Sequence, residues 1–391
     1  MKQLTVKFSA ALLFALSLTT QVKSQDNNTI NVVTSAVPFL RISPDARAGG
    51  MGDVGIATAP DANASFWNLG KVPFAKSRTS VAMTYTPWLK DLGLTDVYLA
   101  SLAGYHQIDE EQGISGSIRY FSLGNIQFTD FAGNDLQSFR PREYSIDLGY
   151  SRKLSEYLGA GISLKYINSN LAGGQAVNGV QYKSGKAVAA DLSIFHSGVN
   201  ADGQGLNWGI ALSNLGSKIS YTSDAQQKDY IPANLGLGVA YTWVFDETSK
   251  FTGGLDINKL MVPTPPALTD DSTLSDYRNK SVISSWFSSF GDAGSFSNEL
   301  KEYQVSVGGE YVYNDQFALR AGYFYEDKLK GNRKYFTLGA GLKYNVFGLN
   351  FSYLVPSGNG VTRNPLSNTL RFSLVFDLDN NNSNGLGSTA P

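Results

Sequence analysis

The side chains best suited to catalysis are scarce in this sequence. There are two histidines, His106 and His196, and no cysteine. A nucleophilic triad needs a histidine within hydrogen-bond reach of both a serine and a carboxylate, and both histidines fall at the ends of predicted strands, where no buried triad is expected. Two histidines without cysteine also leave a zinc site short of its usual ligands. We therefore predict no catalytic residue and no metal site, and we expect that the chain is not an enzyme.

The spacing of Gly50, Gly52 and Gly55 matches the G-x-G-x-x-G pattern of a dinucleotide-binding turn. That turn requires a buried strand before it and a helix after it. Pro44 stands where the strand should be, and Pro60 would interrupt the helix. The glycines are better explained as tight backbone turns, so we predict no bound nucleotide and no other cofactor.

The composition limits the class of protein. Among 391 residues, 32 basic side chains nearly balance 33 acidic ones, which argues against nucleic-acid binding. Lys2 and Lys7 precede an apolar stretch that ends near residue 18, and we predict a signal peptide over residues 1–24. Because this stretch is too short to cross a bilayer as a helix and no longer apolar run occurs, we expect no transmembrane helix.

From about residue 78 onward, apolar and polar residues alternate with a period of two, which is typical of strands with one apolar face. The clearest run is Tyr144, Ile146, Leu148 and Tyr150. Many runs reach about ten residues, the length that a tilted strand needs to cross a bilayer. There are about fourteen such strands, an even number, as single-chain bacterial barrels require. We predict an all-β fold, a transmembrane antiparallel β-barrel over residues 77–377.

The two faces of these strands differ as a membrane barrel requires. Aromatic residues end the apolar face, where their polar tips can reach lipid headgroups: Tyr144, Tyr150, Tyr166, Trp243, Tyr325 and Tyr344. The opposite face carries charges that suit a polar lumen, and we expect them to pair with one another: Asp147, Lys165, Asp191, Glu310, Arg320, Lys343 and Arg371. A soluble sandwich or propeller also alternates and is the alternative.

The connections between the predicted strands alternate in length. Taking the mature N-terminus as periplasmic, the odd connections are mostly long and the even ones are short turns, as in outer-membrane barrels. The longest, 259–302, is too long for a simple turn and ends in an aromatic-rich stretch. Exposed aromatics on a loop suit a protein partner, although they could instead fold back over the barrel mouth. Our candidate contact residues are Tyr277, Trp286, Phe287, Phe290 and Phe296.

The segments on either side of the predicted barrel lack its alternation. We expect residues 25–76 to form an N-terminal extension and a plug, or hatch, inside the barrel. Residues 378–391 are rich in asparagine, serine and glycine, and we expect a flexible periplasmic tail.

The hatch carries the resemblance to a known family. The run ISPDARAGGMGDVGIAT over residues 42–58, followed by PDANA at 60–64 and Trp67-Asn68, resembles the N-terminal hatch of the PorV family, also called LptO. The resemblance implies a FadL-like barrel of fourteen strands that belongs to the type IX secretion system. The hatch residues that we single out are Asp45, Arg47, Gly50, Gly52, Asp53, Gly55, Trp67 and Asn68.

By this resemblance we expect an integral, multi-pass protein of the cell outer membrane that acts as a cargo shuttle. It would bind the C-terminal signal domain of secreted cargo at the outer-membrane translocon and deliver it to an attachment complex that contains a sortase. The implied partners are cargo, the translocon, attachment-complex proteins, and membrane lipid or lipopolysaccharide. Two alternatives stay open: a FadL-like transporter of hydrophobic small molecules, favoured by a greasy pocket and a lateral gap, and a lipopolysaccharide deacylase, which needs a serine–histidine pair.

Overall fold

Alternating apolar and small polar residues from Thr79 onward fold almost wholly as strands. The computed structural model describes residues 32–89, 93–129, 133–174, 176–177, 180–223, 228–266, 271–356 and 368–378. The expected signal peptide and all but the first residue of the expected tail lie outside them. Fourteen of the described strands form a closed barrel. They are β1 Thr79–Pro87, β2 Val97–Gln107, β3 Gln112–Leu123, β4 Arg142–Lys153, β5 Leu158–Asn170, β6 Gly185–Val199, β7 Gly205–Gly216, β8 Asn234–Val244, β9 Ser249–Leu260, β10 Tyr303–Tyr313, β11 Phe317–Tyr325, β12 Lys334–Tyr344, β13 Phe347–Pro356 and β14 Leu370–Leu378.

The other described elements precede the barrel or lie in its connections. Before β1 come the 3₁₀ helix Pro38–Arg41, α1 Ala46–Gly50, α2 Ala64–Trp67 and the 3₁₀ helix Leu69–Phe74. Between β9 and β10 lie α3 Asp271–Asn279, α4 Val282–Ser288 and α5 Phe296–Leu300. Two short hairpins pair Ile126–Thr129 with Asp135–Phe139 and Ala176–Val177 with Val180–Gln181. Within the described ranges, no helix is long and apolar enough to cross a membrane.

The barrel closes because its first and last strands pair with each other. Each strand is antiparallel to both neighbours, and β1 pairs with β14 from Thr79 opposite Leu378 to Tyr85 opposite Phe372. Closure removes the free sheet edges that would leave backbone groups without partners in lipid. The predicted fold class and strand number are confirmed.

The two faces of the wall have opposite character. On the outer face Leu148 is 69% exposed and Leu164 is 67% exposed, whereas their chain neighbours Asp147 and Lys165 are buried in the lumen. A soluble protein rarely leaves such a continuous apolar band in water, but the hydrocarbon of a bilayer would cover it. The sandwich or propeller alternative is therefore wrong.

The two ends of the barrel differ in the length of their connections. At one end, here called the short-turn end, the connections are 108–111, 154–157, 200–204, 245–248, 314–316 and 345–346. At the other, the long-loop end, they are 88–96, 124–141, 171–184, 217–233, 261–302, 326–333 and 357–369. The predicted alternation of length is confirmed.

That prediction takes the mature N-terminus, expected near residue 25, as periplasmic, and residue 25 lies outside the described residues. Residues 32–37 lie at the long-loop end, not at the end where β1 begins: the Ala36 amide donates to the Tyr230 carbonyl at 2.8 Å. Val37 and Phe39 pack against Val97 and Phe121 at the long-loop ends of β2 and β3. Apolar side chains at the mouth provide a better site for this segment than the polar turns of the opposite end.

From there the chain descends through the lumen. Midway, Gly50 lies against Gly339 in the middle of β12. Lower down, Gly70 meets Gly159 at the short-turn end of β5. Residues 38–74, here called the hatch, thus cross the interior of the barrel before β1 starts.

Candidate functional site: a plugged lumen and an exposed helical loop

Arg47 is the main ionic link between the hatch and the wall. Its guanidinium bridges Asp61 of the hatch at 3.0 Å and Glu310 of β10 at 2.9 Å. Arg320 of β11 donates to the same Glu310 carboxylate at 2.6 Å. Two guanidinium groups therefore neutralise one buried carboxylate, and this arrangement leaves Glu310 little freedom to act as a general acid or base.

The carboxylates of Asp45 and Asp53 stabilise the conformation of the hatch. Asp45 caps α1 by accepting from the Ala48 amide at 2.7 Å, and its second oxygen accepts from the Trp67 indole N–H at 2.7 Å. Asp53 accepts from the Tyr335 hydroxyl at 2.7 Å and from Arg371 at 3.0 Å. Each carboxylate thus fixes one turn of the hatch, Asp53 by a direct bond to the wall.

The three glycines of the G-x-G-x-x-G spacing serve close packing. A Cβ on Gly52, whose φ is +71°, would lie 2.6 Å from the Tyr323 nitrogen, and one on Gly55 would lie 2.1 Å from the Trp67 ring. The Gly55 amide donates to the Asp256 carboxylate at 2.7 Å. This turn therefore packs against the wall. Since the Asp256 carboxylate would repel a phosphate, the turn does not form an anion-binding site.

Trp67 and Asn68 anchor the lower half of the hatch. The Asn68 side chain donates to the Ile194 carbonyl of β6 at 2.9 Å, and its oxygen accepts from the Gly70 amide at 3.0 Å. The structure therefore places all eight singled-out hatch residues within one segment of the lumen.

Two wall residues that hold the hatch were not predicted from the sequence. Arg119 of β3 donates to the carbonyls of Phe39 and Ile42 at 2.7 and 2.6 Å and lies 4.7 Å from the Phe66 ring centre. Asp256 of β9 accepts from both Gly55 and Ile56 amides. The alternation places both side chains on the lumenal face, but only the fold shows that their partners are hatch backbone groups.

The predicted lumenal charges are paired. Lys165 lies 3.3 Å from Asp147 and 3.1 Å from Asp191. Asp191 sits at a register shift in β6, which directs it toward Lys165 and the Asn214 amide. Lys343 lies at the short-turn end, half-exposed, and pairs with Asp377 at 2.6 Å.

At the long-loop end, the connection 261–302 is held to the wall by a compact charge cluster. The Lys259 ammonium lies 2.5 Å from Glu302 and 3.2 Å from Glu299, and Lys330 lies 2.7 Å from Glu302. Burial alone would raise the pKa of Glu302, but the hydrogen bonds and charges of the two lysines hold it below its ordinary value. With Asp292, these carboxylates approach within 4.8 Å of one another; the two lysines pair with Glu299 and Glu302, and Asp292 accepts from the Thr264 amide and hydroxyl.

Above this base, α4 and α5 carry apolar side chains that face solvent. Ile283 and Phe287 are four residues apart on α4, and Phe296 and Leu300 are four apart on α5. Residues four apart share one helix face, and Phe287 and Phe296 are 76% and 78% exposed. We call these four residues the apolar face. Serines cap both helices, since Ser281 accepts from Ser284 and Ser295 accepts from Asn298, each at 3.2 Å.

The predicted contact residues thus divide into two groups. The rings of Phe287 and Phe296 face solvent. Phe290 is partly exposed, and its ring centre lies 5.6 Å from the Lys259 ammonium. Trp286 is half-buried, and Tyr277 packs edge-on against Tyr230 at 5.6 Å. Burial raises the pKa of Tyr277 to about 12. Ile283 and Leu300 were missed, although their four-residue spacing from the phenylalanines is visible in the sequence.

Comparison with protein families places the chain in one of them. The family model described as type IX secretion system protein PorV matches residues 23–267, which include the hatch and more than half of the chain. The chain belongs to the PorV family. No curated protein matches the sequence significantly.

Comparison with solved structures finds one that supports the fold of this PorV-family barrel, TbuX, and weaker likenesses such as TodX. The toluene transporter TbuX of Ralstonia pickettii has a TM-score of 0.52 at 11% identity, with 86% of this chain and 98% of TbuX covered. The toluene transporter TodX of Pseudomonas putida has a TM-score of 0.49 at 13% identity, with 89% and 98% covered. At this identity the likeness to TbuX concerns the fold alone, a closed β-barrel.

Cavities lie beside the hatch and at the long-loop end of this PorV-family barrel. The cavity beside the hatch measures about 70 Å³, and both polar residues such as Arg41, Asp53 and Asn214 and aromatic residues such as Phe66 and Trp67 line it. A larger pocket of about 430 Å³ lies at the long-loop end and is open to solvent. The hatch thus separates the mouth from the short-turn end.

Both histidines lie at the short-turn end. His106 hydrogen-bonds Thr79 Oγ1 at 2.7 Å, and His196 stacks on Trp208 at 5.3 Å. Within the described residues, neither imidazole is hydrogen-bonded to a serine or a carboxylate. The geometry that a deacylase would need is not formed there.

Proposed function

We propose that this protein is a cargo carrier of type IX secretion, integral to the outer membrane. It binds the C-terminal signal domain of secreted cargo at the translocon and delivers it to the attachment complex that contains the sortase. In this proposal the long-loop end faces outside and the short-turn end faces the periplasm, the usual arrangement of outer-membrane barrels. Membership of the PorV family supports the pathway.

The observation that carries the proposal is the apolar face. Phe287 and Phe296 stand on short capped helices above the mouth, and a rigid helix presents a large ring to a partner at little entropic cost. Aromatic anchors of this kind dominate the free energy of protein interfaces. The Lys259 cluster fixes the base of the loop, so the face is held in place before a partner arrives.

The closed lumen argues against the transporter alternative. Beside the hatch the cavity measures about 70 Å³, far below the few hundred Å³ of typical small-molecule sites, and the pocket of about 430 Å³ lies at the long-loop end. Along β3, every residue from Gly113 to Leu123 pairs with β2, and the pairing with β4 runs without a register shift. The wall therefore has no gap beside β3 through which a hydrophobic compound could leave laterally. The register shift in β6 lies at Asp191, which is paired with Lys165.

Affinity isolation tests this function. The tagged full-length barrel is recovered from solubilised outer membranes, and the retained proteins are identified by mass spectrometry. We expect the large translocon and secreted proteins that still carry a common C-terminal domain. Recovery of the barrel alone, with fatty acids or other apolar ligands bound, would overturn the carrier and favour the transporter.

A variant pair locates the contact. The double variant Phe287→Ser with Phe296→Ser should lose most of the retained cargo. The matched control is Phe245→Ser, which removes an exposed phenylalanine from a turn at the opposite end of the barrel. Equal loss from both variants, or from neither, would contradict a cargo contact on the apolar face.

A further inference from the structure

The pocket at the long-loop end combines aromatic walls with a buried carboxylate. It has a volume of about 430 Å³, and the residues that line it include Phe121, Tyr221, Tyr230 and Tyr277. The 32–37 segment forms part of the same wall through Ala36 and Val37. This volume falls within the range of small-molecule sites.

Glu143 supplies the buried carboxylate. It is the second residue of β4, lines the pocket and is only 3% exposed. One oxygen accepts from the Ser169 hydroxyl at 2.6 Å, and Ser169 in turn accepts from the Tyr221 hydroxyl at 3.0 Å. This short chain orients the carboxylate but brings no positive charge to it.

No cation of the described residues compensates Glu143. None of the ion pairs in the described part of the chain includes it, in contrast to Glu310, which has two guanidinium partners. No lysine or arginine lines the pocket among these residues. Lys218 lies over the ring of Tyr230, a lining residue, at 4.2 Å, and its ammonium donates to the carbonyls of Arg278 and Lys280.

A buried carboxylate without a counter-charge is costly, and every other strongly buried carboxylate described above has a cation or backbone amides as partners. Aromatic ring faces attract cations, and most strongly where water is excluded. Asp229, an exposed residue of the same lining, adds a second negative charge to the pocket. We propose that this pocket binds a ligand with a single cationic nitrogen on an apolar stem.

Two sources could supply that chemistry: a free organic amine, or the side chain of a lysine in a partner protein. In both cases the ammonium would lie at Glu143 and the stem along the aromatic walls. The site is independent of the cargo contact on the apolar face, so either proposal can fail without the other.

Calorimetry with the full-length barrel in lipid nanodiscs tests the site. The probes are phenethylamine, which is cationic at neutral pH, and 2-phenylethanol, its neutral counterpart of the same shape. We expect the amine to bind roughly tenfold to a hundredfold more tightly, the range for a charge-assisted hydrogen bond. Equal affinity, or no binding of the amine, would overturn the proposal without any variant being made.

Variants then assign the charge. Glu143→Gln should abolish the preference for the amine, while the matched control Glu156→Gln, an exposed carboxylate at a short turn, should retain it. A preference that survives in Glu143→Gln would contradict the assignment.

A third comparison separates the sources. The capped tripeptide Gly-Lys-Gly is compared with its norleucine counterpart. Selective binding of the lysine peptide, lost in Glu143→Gln, identifies a partner side chain, whereas binding of phenethylamine alone identifies a free amine. Amine binding that appears only after residues 25–31 are deleted would overturn an external ligand and assign the pocket to the chain's own N-terminal segment.

Discussion

The hatch and the loop 261–302 use their side chains in opposite ways. In the hatch, Arg47, Asp45 and Asp53 each contact at least two groups, and those partners lie on the wall or within the hatch itself. In the loop, the Lys259 cluster holds the base, and Phe287 and Phe296 face solvent. In the lumen, the hatch side chains already have partners within the protein. At the long-loop end, exposed apolar side chains can still bind another protein.

The largest expected effect comes from the main ionic link of the hatch. Replacing Arg47 by alanine leaves Asp61 without its partner, although Arg320 still neutralises Glu310. We expect a loss of about 3 kcal/mol in the free energy of unfolding, the lower end of the range for breaking a buried pair. Urea unfolding of the barrel in detergent measures it.

The control for this change is Arg152→Ala, which removes an exposed arginine 3.6 Å from Glu111. Exposed pairs contribute about 0–1 kcal/mol, so this variant should resemble the wild type. If both arginine variants lost the same free energy of unfolding, Arg47 would not bind the hatch to the wall more strongly than an exposed ion pair does.

A smaller effect is expected from crowding the hatch. A Cβ on Gly308 of β10 would lie 2.1 Å from the Met51 carbonyl oxygen, so Gly308→Ala forces the hatch away from the wall. Overpacking of this kind costs about 1–3 kcal/mol. We expect ion conductance to appear in planar bilayers, where the wild type should be nearly closed.

Gly116→Ala is the matched control, since its Cβ would lie 3.6 Å from the nearest atoms, an ordinary contact. Conductance in both glycine variants, or in neither, would show that the lumen is not closed by the hatch contact at Gly308.

Acid should loosen the base of the loop. The lysines hold the pKa of Glu302 below its ordinary value of 4.5 against the effect of burial. A carboxylate with a lowered pKa in the folded state stabilises that state above its unfolded pKa, and the contribution is lost as pH falls from about 4.5 through the lowered value. Hydrogen exchange of α5, compared at pH 6 and pH 3, should show faster opening at the lower pH.

Glu302→Gln supplies the control, because without an ionisable group at 302 most of this pH dependence should disappear. An unchanged pH response in the glutamine variant would assign the acid sensitivity to other groups. The ion pairs of Glu302 would then not be what stabilises the base of the loop.

The smallest effect on stability is expected at the apolar face. Phe287→Ser with Phe296→Ser removes rings that make little contact with the folded chain, and surface changes of this kind fall within about 0.5 kcal/mol. Urea unfolding should therefore match the wild type, while cargo retention falls. A clear loss of stability would mean that these rings pack against the barrel, and the contrast with the hatch would disappear.

Much of the fold was predictable because the lipid and the lumen impose different demands on alternate residues. Leu148 and Leu164 had to face outward once Asp147 and Lys165 were placed inside. The alternation of long and short connections supported an even number of strands. The hatch segment was also visible, since its glycines and prolines break the alternation. The helices of the loop were not predicted, because short capped helices such as Phe296–Leu300 give too few turns for a helical period to stand out.

The sequence by itself determined the barrel, the strand number and the family, since a period of two and a specific hatch run are local properties of the chain. Only the tertiary structure decided that residues 32–37 lie at the long-loop end and that Arg119 and Asp256 hold hatch backbone groups. It also decided that Glu143 has no cation partner among the described residues while Glu310 has two. These facts depend on contacts between residues far apart in the chain, and closure of the barrel fixes those contacts.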